Sequence, residues 1–181
     1  VRGGCRKRGR HRLNMKVTII IPNYNGLAFM EPCMKALDNQ NFKDFSVLVV
    51  DNGSTDGSVE WLKEHGIPAV FLKTNTGFSG AVNVGIKKAA TPYVILLNND
   101  TKADPDYVGE LVRAIEASPK IFSVSSRMIQ MYHPDRLDDA GNYYCALGWA
   151  YARGKGKDIH TYEKEEKIFA SCAGAAIYRK K

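Results

Sequence analysis

The stretch VILLNNDT, residues 94–101, places four aliphatic side chains directly before two asparagines and an aspartate. An unbroken run of Val, Ile and Leu is typical of a strand that is buried on both faces of a sheet. Three polar side chains then stand where this strand would end. The stretch therefore predicts a buried strand over 93–97 that presents amide and carboxylate groups at its carboxyl end.

The same arrangement occurs twice upstream. Val17–Ile21 (VTIII) is a predicted strand followed by PNYNG, and Phe45–Val50 (FSVLVV) is a predicted strand followed by DNGSTDG. A short strand is also predicted over 69–72. In open parallel sheets, ligands bind beyond the carboxyl ends of the strands. We therefore expect the three polar clusters to lie at one edge of a sheet and to form a site.

Amphipathic stretches separate the predicted strands. They predict a helix over about 28–40, a second helix capped by Asp56 and ended by Gly66, and a third helix after Gly77. Asp104-Pro105 is predicted to open a fourth helix. Apolar strands that alternate with helices predict an α/β fold with a mostly parallel sheet and helices on both faces.

The positive charge of the chain is concentrated at its start. The 181 residues carry a formal net charge of +7, but residues 1–14 hold six basic side chains and no acidic one; without these six, 20 basic side chains face 19 acidic ones. We interpret residues 1–14 as a basic, disordered leader or tail, and residues 15–181 as one domain. The alternatives are a targeting segment without an apolar core and an arm that binds nucleic acid or a membrane surface.

The cysteine pattern and the hydropathy of the sequence bear on the cellular compartment of the protein. The four cysteines are scattered without CxxC spacing, as is typical of free thiols in a reducing environment. No apolar run approaches the roughly 18 residues that a membrane span needs. We therefore expect a cytoplasmic protein.

The residue types at the strand ends suit a nucleotide and a cation. Tyr24 can stack on a base, and Asp51 can accept a hydrogen bond from the imide N–H of uracil or thymine. Gly53 and Gly77 would let the backbone approach a ligand closely. Asp100 is a hard oxygen ligand of the kind that Mg²⁺ or Mn²⁺ prefers, shared with substrate phosphates. Because no GxGxxG motif follows the first strand and no P-loop spacing is present, we expect a diphosphate to be held through the metal.

Four motifs, in their order along the chain, resemble the family 2 glycosyltransferases, which are inverting enzymes with a GT-A fold: VTIIIPNYNG, VVDNGSTDGS, NTGFSGAVNVGI and VILLNNDT. Later segments resemble the branch that includes bacterial rhamnosyltransferase-like proteins. The resemblance implies metal-dependent transfer of a sugar from a UDP- or dTDP-linked donor to a glycan or lipid-linked acceptor. It also implies peripheral association with the inner face of the cell membrane through the acceptor, and no specific nucleic-acid partner.

The resemblance also implies roles for particular residues on the nucleoside side of the site. Pro22, Tyr24 and Asp51 would line the base, with Asp51 contacting the pyrimidine. Gly77 and Asn83 fall in the segment that borders the nucleoside.

On the diphosphate side, residues 98–100 stand where the family has its DxD-type motif. Asn99 would face the ribose, and Asp100 would carry Mg²⁺ or Mn²⁺. Because Asn98 replaces the first acid of the motif, only one protein carboxylate would hold the cation. We therefore expect the metal to bind tightly only together with the sugar nucleotide.

The catalytic base is not identified by the sequence. Inverting transfer needs a carboxylate that deprotonates the acceptor hydroxyl, and in the family an acidic segment follows the motif that GAAIYRK resembles. We expect this base beyond Lys181, so that the chain is a truncated donor-binding half that transfers sugar poorly. A non-catalytic nucleotide-sugar-binding module and, less favoured, a nucleic-acid-binding protein that uses residues 1–14 remain as alternatives.

Overall fold

The computed structural model describes residues 15–180, and the basic segment 1–14 lies outside them. The strands are β1 Val17–Asn23, β2 Phe45–Asp51, β3 Ala69–Phe71, β4 Tyr93–Leu97, β5 Ser123–Ser125, β6 Met128–Ile129, β7 Leu137–Asp139, β8 Asn142–Tyr144, β9 Ala150–Ala152 and β10 Ala175–Arg179. The helices are α1 Leu27–Asp38, α2 Ser58–Glu64, α3 Gly77–Lys88 and α4 Tyr107–Glu116.

A six-stranded sheet in the order β3-β2-β1-β4-β10-β5 forms the centre of the fold. The pairs β3–β2, β2–β1 and β1–β4 are parallel, whereas β10 runs antiparallel to both β4 and β5. The predicted α/β fold with a mostly parallel sheet is therefore confirmed. The parallel arrangement brings the carboxyl ends of β1, β2 and β4 to one edge.

The central strands are mostly apolar because both faces of the sheet are covered. Ile19 and Ile21 of β1 pack with α1, α2 and α4 on one face, and Ile20 packs with α3 on the other. All three side chains are fully buried. Helix α3 approaches the sheet so closely that a Cβ on Gly85 would lie 2.4 Å from Cγ2 of Ile20.

Strand β1 extends two residues beyond its predicted end. We expected Pro22 to stop the strand after Ile21, but β1 continues to Asn23, which pairs with Asp51 of β2. The pairing of β1 with β4 ends at Ile20. Pro22 lies past that last pair, where a missing N–H costs little. This extension carries Asn23 to the sheet edge.

Two helix starts also differ from the prediction. The N-cap of α2 is Gly57, with a φ of 91°, although the Asp56 carboxylate accepts the N–H of Ser58. Helix α4 begins at Tyr107 rather than at Asp104-Pro105. The N–H of Val108 is bonded to the buried side-chain amide oxygen of Gln40, at 2.9 Å, so a neighbouring helix end supplies the acceptor that we expected from Asp104.

Between β5 and β10 the chain forms two small two-stranded sheets, β6-β7 and β8-β9. The strands there are two or three residues long. Within residues 15–180, no helix is both long enough and apolar enough to cross a bilayer.

Candidate functional site

The three polar clusters meet in a pocket of about 300 Å³ beyond the carboxyl ends of β1, β2 and β4. Five of the residues predicted from the sequence line this pocket: Pro22, Tyr24, Gly77, Asn99 and Asp100. Tyr24 is 51% exposed and Asp100 is also exposed, so both are accessible to a ligand.

A hydrogen-bonded relay connects the three strand ends. The Asn99 Nδ2 donates to Asn23 Oδ1 at 2.7 Å, and the Asn23 Nδ2 donates to Asp51 Oδ2 at 2.8 Å. The other carboxylate oxygen of Asp51 accepts the backbone N–H of Ser54 at 3.0 Å. Asn23, which sequence reasoning left out of the site, thus links the β2 end to the β4 end.

The relay places Asp51 behind the pocket rather than on its surface. Asp51 is fully buried, does not line the pocket, and has both oxygens bonded to protein donors. Asp100, by contrast, presents its carboxylate to solvent. Both aspartates therefore lie at the same edge of the sheet. Asp51 is buried and hydrogen-bonded to protein groups, whereas Asp100 is exposed at the surface.

Gly26 is the residue that makes room for this relay. A Cβ at position 26 would lie 2.1 Å from Asn99 Nδ2 and 2.6 Å from Asn23 Oδ1, the two atoms of one relay hydrogen bond. Both distances are far below any real carbon contact. The hydrogen bond and a side chain at position 26 are mutually exclusive without movement of the turn.

Asn52 organises the opposite wall of the pocket. Its Nδ2 donates to Asn75 Oδ1 and to the carbonyl of Gly77, and its Oδ1 accepts from the N–H and hydroxyl of Thr76. The side chain is only 4% exposed. Sequence reasoning missed this role, for which the only signal was an Asn directly after Asp51.

Asp56 holds the two loops above β1 and β2 together. One carboxylate oxygen accepts the N–H of Leu27 at the start of α1, and the other accepts the N–H and hydroxyl of Ser58 at the start of α2. Burial raises the pKa of Asp56, but these hydrogen bonds outweigh it and hold the pKa below its ordinary value. The carboxylate therefore stays ionised where two helix N-termini meet.

Besides Asp51, two predicted residues lie outside the pocket lining. Gly53, with a φ of 84°, is approached by the backbone of Thr74, since a Cβ there would lie 3.0 Å from the Thr74 carbonyl carbon. Asn83 is an exposed residue of α3. Their roles toward a nucleotide stay predictions. Phe78, which is 46% exposed, lines the pocket and was not predicted.

The donor groups at the pocket suit a divalent cation that receives most of its ligands from the substrate. Among residues 15–180, no group of three or more His, Cys, Asp or Glu side chains is arranged to hold a metal ion. The pocket does present the Asp100 carboxylate beside the Asn98 and Asn99 amides. Oxygen ligands of this kind match Mg²⁺ or Mn²⁺, which keep waters and share substrate phosphates.

Comparison with known proteins gives the family. The model of the glycosyl transferase family 2 domain matches residues 18–181. The chain belongs to glycosyl transferase family 2. The resemblance read from the four motifs is thereby confirmed, whereas the finer assignment to a rhamnosyltransferase-like branch stays a prediction.

Curated relatives of this family 2 chain include glycosyltransferases and a cell-wall polymerase. The glycosyltransferase GlyA of Streptococcus pneumoniae serotype 4 is 33% identical over 165 residues, which cover 86% of this chain and 23% of that protein. The teichoic acid poly(glycerol phosphate) polymerase of Staphylococcus epidermidis is 31% identical over 91 residues, 47% of this chain and 13% of the polymerase.

Solved structures share the fold. TarS 1–349 of S. aureus superposes with a TM-score of 0.66 at 20% identity, covering 91% of this chain and 47% of that one. The mannosyltransferase PcManGT of Pyrobaculum calidifontis, in complex with GDP-Man and Mn²⁺, gives a TM-score of 0.57 at 25% identity, covering 62% of this chain and 35% of that one. The family 2 chain spans less than a quarter of the length of the two curated relatives and less than half of either solved chain.

Proposed function

We propose that this chain is the donor-binding part of an inverting, metal-dependent glycosyltransferase that uses a UDP- or dTDP-linked sugar and a glycan or lipid-linked acceptor. The observation that carries the proposal is the relay from Asp51 through Asn23 to Asn99, which sets the exposed Asp100 beside a pocket at the strand ends. Family membership supports the transferase class.

The proposed nucleoside contacts come from the walls of the pocket. The rings of Tyr24 and Phe78 are each about half exposed there and can stack on a base. Asp51 would accept the imide N–H of the pyrimidine. Because its carboxylate is buried, this contact requires the side chains around it to move when the nucleotide enters. Gly53, Gly77 and Asn83 would border the nucleoside.

The proposed diphosphate contacts centre on the 98–100 segment. Asn99 would face the ribose, and Asp100 with neighbouring amide oxygens would hold Mg²⁺ or Mn²⁺. A bound cation supplies charge neutralisation of the departing diphosphate. The structural neighbour PcManGT is in complex with GDP-Man and Mn²⁺, which supports the use of a divalent ion by this chain. The catalytic base and the association with a membrane surface stay predictions.

A thermal-shift panel tests the donor class. UDP, dTDP and GDP are compared with and without Mn²⁺ or Mg²⁺, because TarS has been solved with UDP-GlcNAc and PcManGT with GDP-Man. We expect UDP or dTDP with metal to stabilise the chain, by about 2.7 kcal/mol at a hundred times the dissociation constant. If no nucleoside diphosphate raises the melting temperature, the proposal is wrong. If GDP alone does, the pyrimidine assignment is wrong.

The stereochemical course is tested on the product of sugar transfer. The product formed from an α-linked nucleotide sugar is analysed by proton NMR at the new anomeric centre. We expect a β-linked product, and an α-linked product would exclude inversion.

A further inference from the structure

Two aromatic side chains on separate segments of the chain line the pocket at the strand ends. Tyr24 lies in the turn between β1 and α1, and Phe78 lies in the first turn of α3. Tyr24 is 51% exposed and Phe78 is 46% exposed. A half-exposed ring is held only in part by neighbouring side chains, so its position depends on how its backbone is fixed. A ring that is already in place binds a base more tightly, because less motion is lost on binding.

The segment that leads into α3 is held by one buried side chain. Residues 73–79 are all exposed, whereas Asn52 is 4% exposed. The Asn52 amide nitrogen donates to Asn75 Oδ1 at 2.9 Å and to the Gly77 carbonyl at 3.1 Å. Its amide oxygen accepts the N–H of Thr76 at 2.9 Å and the hydroxyl of that residue at 3.0 Å. A single buried amide therefore fixes the three residues that precede the second ring.

The residue after Asn52 makes this contact sterically possible. A Cβ on Gly53 would lie 3.0 Å from the carbonyl carbon of Thr74 and 3.1 Å from its Cα. A side chain at position 53 would therefore push the 73–79 segment away. Its absence lets the two backbones approach, and this approach brings the Asn52 amide within reach of its partners.

The turn that carries Tyr24 is held by the same loop. The Ser54 hydroxyl oxygen accepts the N–H of Asn25 at 2.9 Å and the side-chain amide of Asn23 at 3.2 Å. The N–H of Thr55 donates to Asn25 Oδ1 at 2.8 Å. Asn25 has a φ of 50°, a left-handed conformation that asparagine adopts more readily than most residues. Both neighbours of Tyr24 along the chain are therefore bonded to this loop.

We propose that the loop after β2, residues 52–55, positions both rings for the base: Asn52 acts through Phe78, and Ser54 acts through Tyr24. Each side chain bonds to a different one of the two ring-bearing segments. The two residues are therefore positioning residues for separate walls of the pocket. The inference rests on the proposed function, because the rings are positioned for a base only if the pocket takes a nucleotide.

Double-mutant cycles test the proposal. UDP is titrated in the presence of Mn²⁺ into four single variants and into the four pairs that combine one loop residue with one ring; the single variants are Asn52→Ala, Ser54→Ala, Tyr24→Ala and Phe78→Ala. Loss of either ring should weaken UDP binding about tenfold, the scale of base stacking on an aromatic side chain. Each loop variant should weaken UDP binding severalfold. None of the four substitutions changes the charge of the chain.

The pattern of coupling distinguishes positioning from other roles. Asn52→Ala should weaken binding no further once Phe78 is alanine, but its factor should multiply with that of Tyr24→Ala. Ser54→Ala should show the reverse pattern. Because Asn52 also lines the pocket, it could touch UDP directly, and its factor would then multiply with that of Phe78→Ala. Factors that multiply in all four pairs, or that both rings absorb equally, would overturn the inference.

Further variants keep the test decisive if Asn52→Ala does not fold. Thr76→Val removes one of the four Asn52 hydrogen bonds at an exposed position, and should couple to Phe78→Ala with a smaller factor. Ser54→Thr keeps the hydroxyl group and should keep the wild-type affinity. If the Thr76→Val factor instead multiplies with that of Phe78→Ala, or if Ser54→Thr binds UDP as weakly as Ser54→Ala, the inference fails.

Asn39→Ala is the matched control for Asn52→Ala. Asn39 is exposed and follows the last residue of α1, at the end of that helix away from the pocket. It should leave UDP binding unchanged, and an equal loss in both variants would overturn the inference. A wild-type chain that binds no nucleoside diphosphate would instead refute the proposed function. A wild-type chain that binds UDP without the expected coupling would refute this inference alone.

Discussion

Asn23 is the residue through which the ends of β1, β2 and β4 are connected. Its amide donates to the fully buried carboxylate of Asp51 and accepts from Asn99. A buried carboxylate is tolerated only when donors replace its lost water. An aspartate at position 23 would place two carboxylates together, and an aliphatic side chain would leave Asp51 with fewer donors.

Asn23→Ala should lower the free energy of unfolding by about 2 kcal/mol, because it leaves part of a buried charge unsatisfied. The control is Asn41→Ala, which removes an exposed amide-to-carboxylate hydrogen bond of 2.7 Å to Asp106. The control should change stability by less than about 0.5 kcal/mol. Urea denaturation of both variants measures the difference, and equal losses would show that the relay contributes nothing beyond a surface contact.

At the scale of elements, the turn from β1 into α1 is shaped around the relay. Gly26 lies against both atoms of the Asn23–Asn99 hydrogen bond. The motif PNYNG predicted that this turn lies at the edge of the sheet. It did not indicate the glycine's steric role, because that role depends on Asn99, 73 positions later in the chain.

Gly26→Ala should destabilise the chain by about 2 kcal/mol, since the new methyl group must displace the Asn99 amide or the turn. Gly109→Ala is the matched control: it lies in α4, and its Cβ would stand 3.6 Å from Cβ of Phe42, an ordinary contact. Alanine there should be neutral or stabilising by up to about 1 kcal/mol. Melting temperatures report both changes; a neutral Gly26→Ala would mean that the turn is not tightly constrained.

The parallel half of the sheet could be predicted from the sequence, and its antiparallel half could not. β1, β2 and β4 can be recognised as apolar runs, interrupted only by Thr18 and Ser46. Their polar ends lie at one edge of the sheet because parallel strands run in the same direction. In the antiparallel half, β5 has only three residues, which are too few for any periodicity. The start of α4 was misplaced because its partner, Gln40, belongs to another part of the chain. The sequence predicted that Asp51 lies at this edge. It did not predict that the Asp51 carboxylate is buried, because Asn23, which donates a hydrogen bond to it, belongs to another strand.

At the scale of the whole molecule, one buried cation stabilises the segment between β7 and β10. Arg153 is 4% exposed, pairs with the Glu166 carboxylate, and has its guanidinium 4.0 Å from the ring centroid of Tyr162. Its Nε has no hydrogen-bond partner among the described residues. Glu166 is therefore its main counter-charge.

Glu166→Gln should cost about 2 kcal/mol of unfolding free energy, because it leaves a buried cation without its anion. Glu165→Gln is the adjacent control. Glu165 is 75% exposed and pairs with Arg113, which is 56% exposed, so its loss should cost less than about 0.5 kcal/mol. Urea denaturation at low and high salt would separate the two variants, because urea is uncharged and does not itself screen the ion pairs. Equal effects would mean that Arg153 is not held by this ion pair.

The ionisation of Asp139 should make the free energy of unfolding depend on pH. Burial raises the pKa of this carboxyl above its ordinary value, with the charge of Asp138 adding to it. A raised folded pKa means that the stabilisation from Asp139 is fully present below its unfolded pKa and is lost as pH rises through the folded pKa. Asp139→Asn keeps an acceptor for the N–H of Gly141 but does not ionise. Its stability relative to wild type should therefore increase between pH 3 and pH 7 in urea denaturation, and a pH-independent difference would contradict this.

The central claim is that the relay and Asp100 form one site for a nucleoside diphosphate and a divalent cation. Isothermal titration of UDP into the wild-type chain and into Asp100→Asn, each with and without Mn²⁺, tests it most directly. We expect Mn²⁺ to tighten UDP binding at least about tenfold in wild type and to have little effect in the variant. UDP affinity that is indifferent to Mn²⁺ and to Asp100→Asn would contradict the claim.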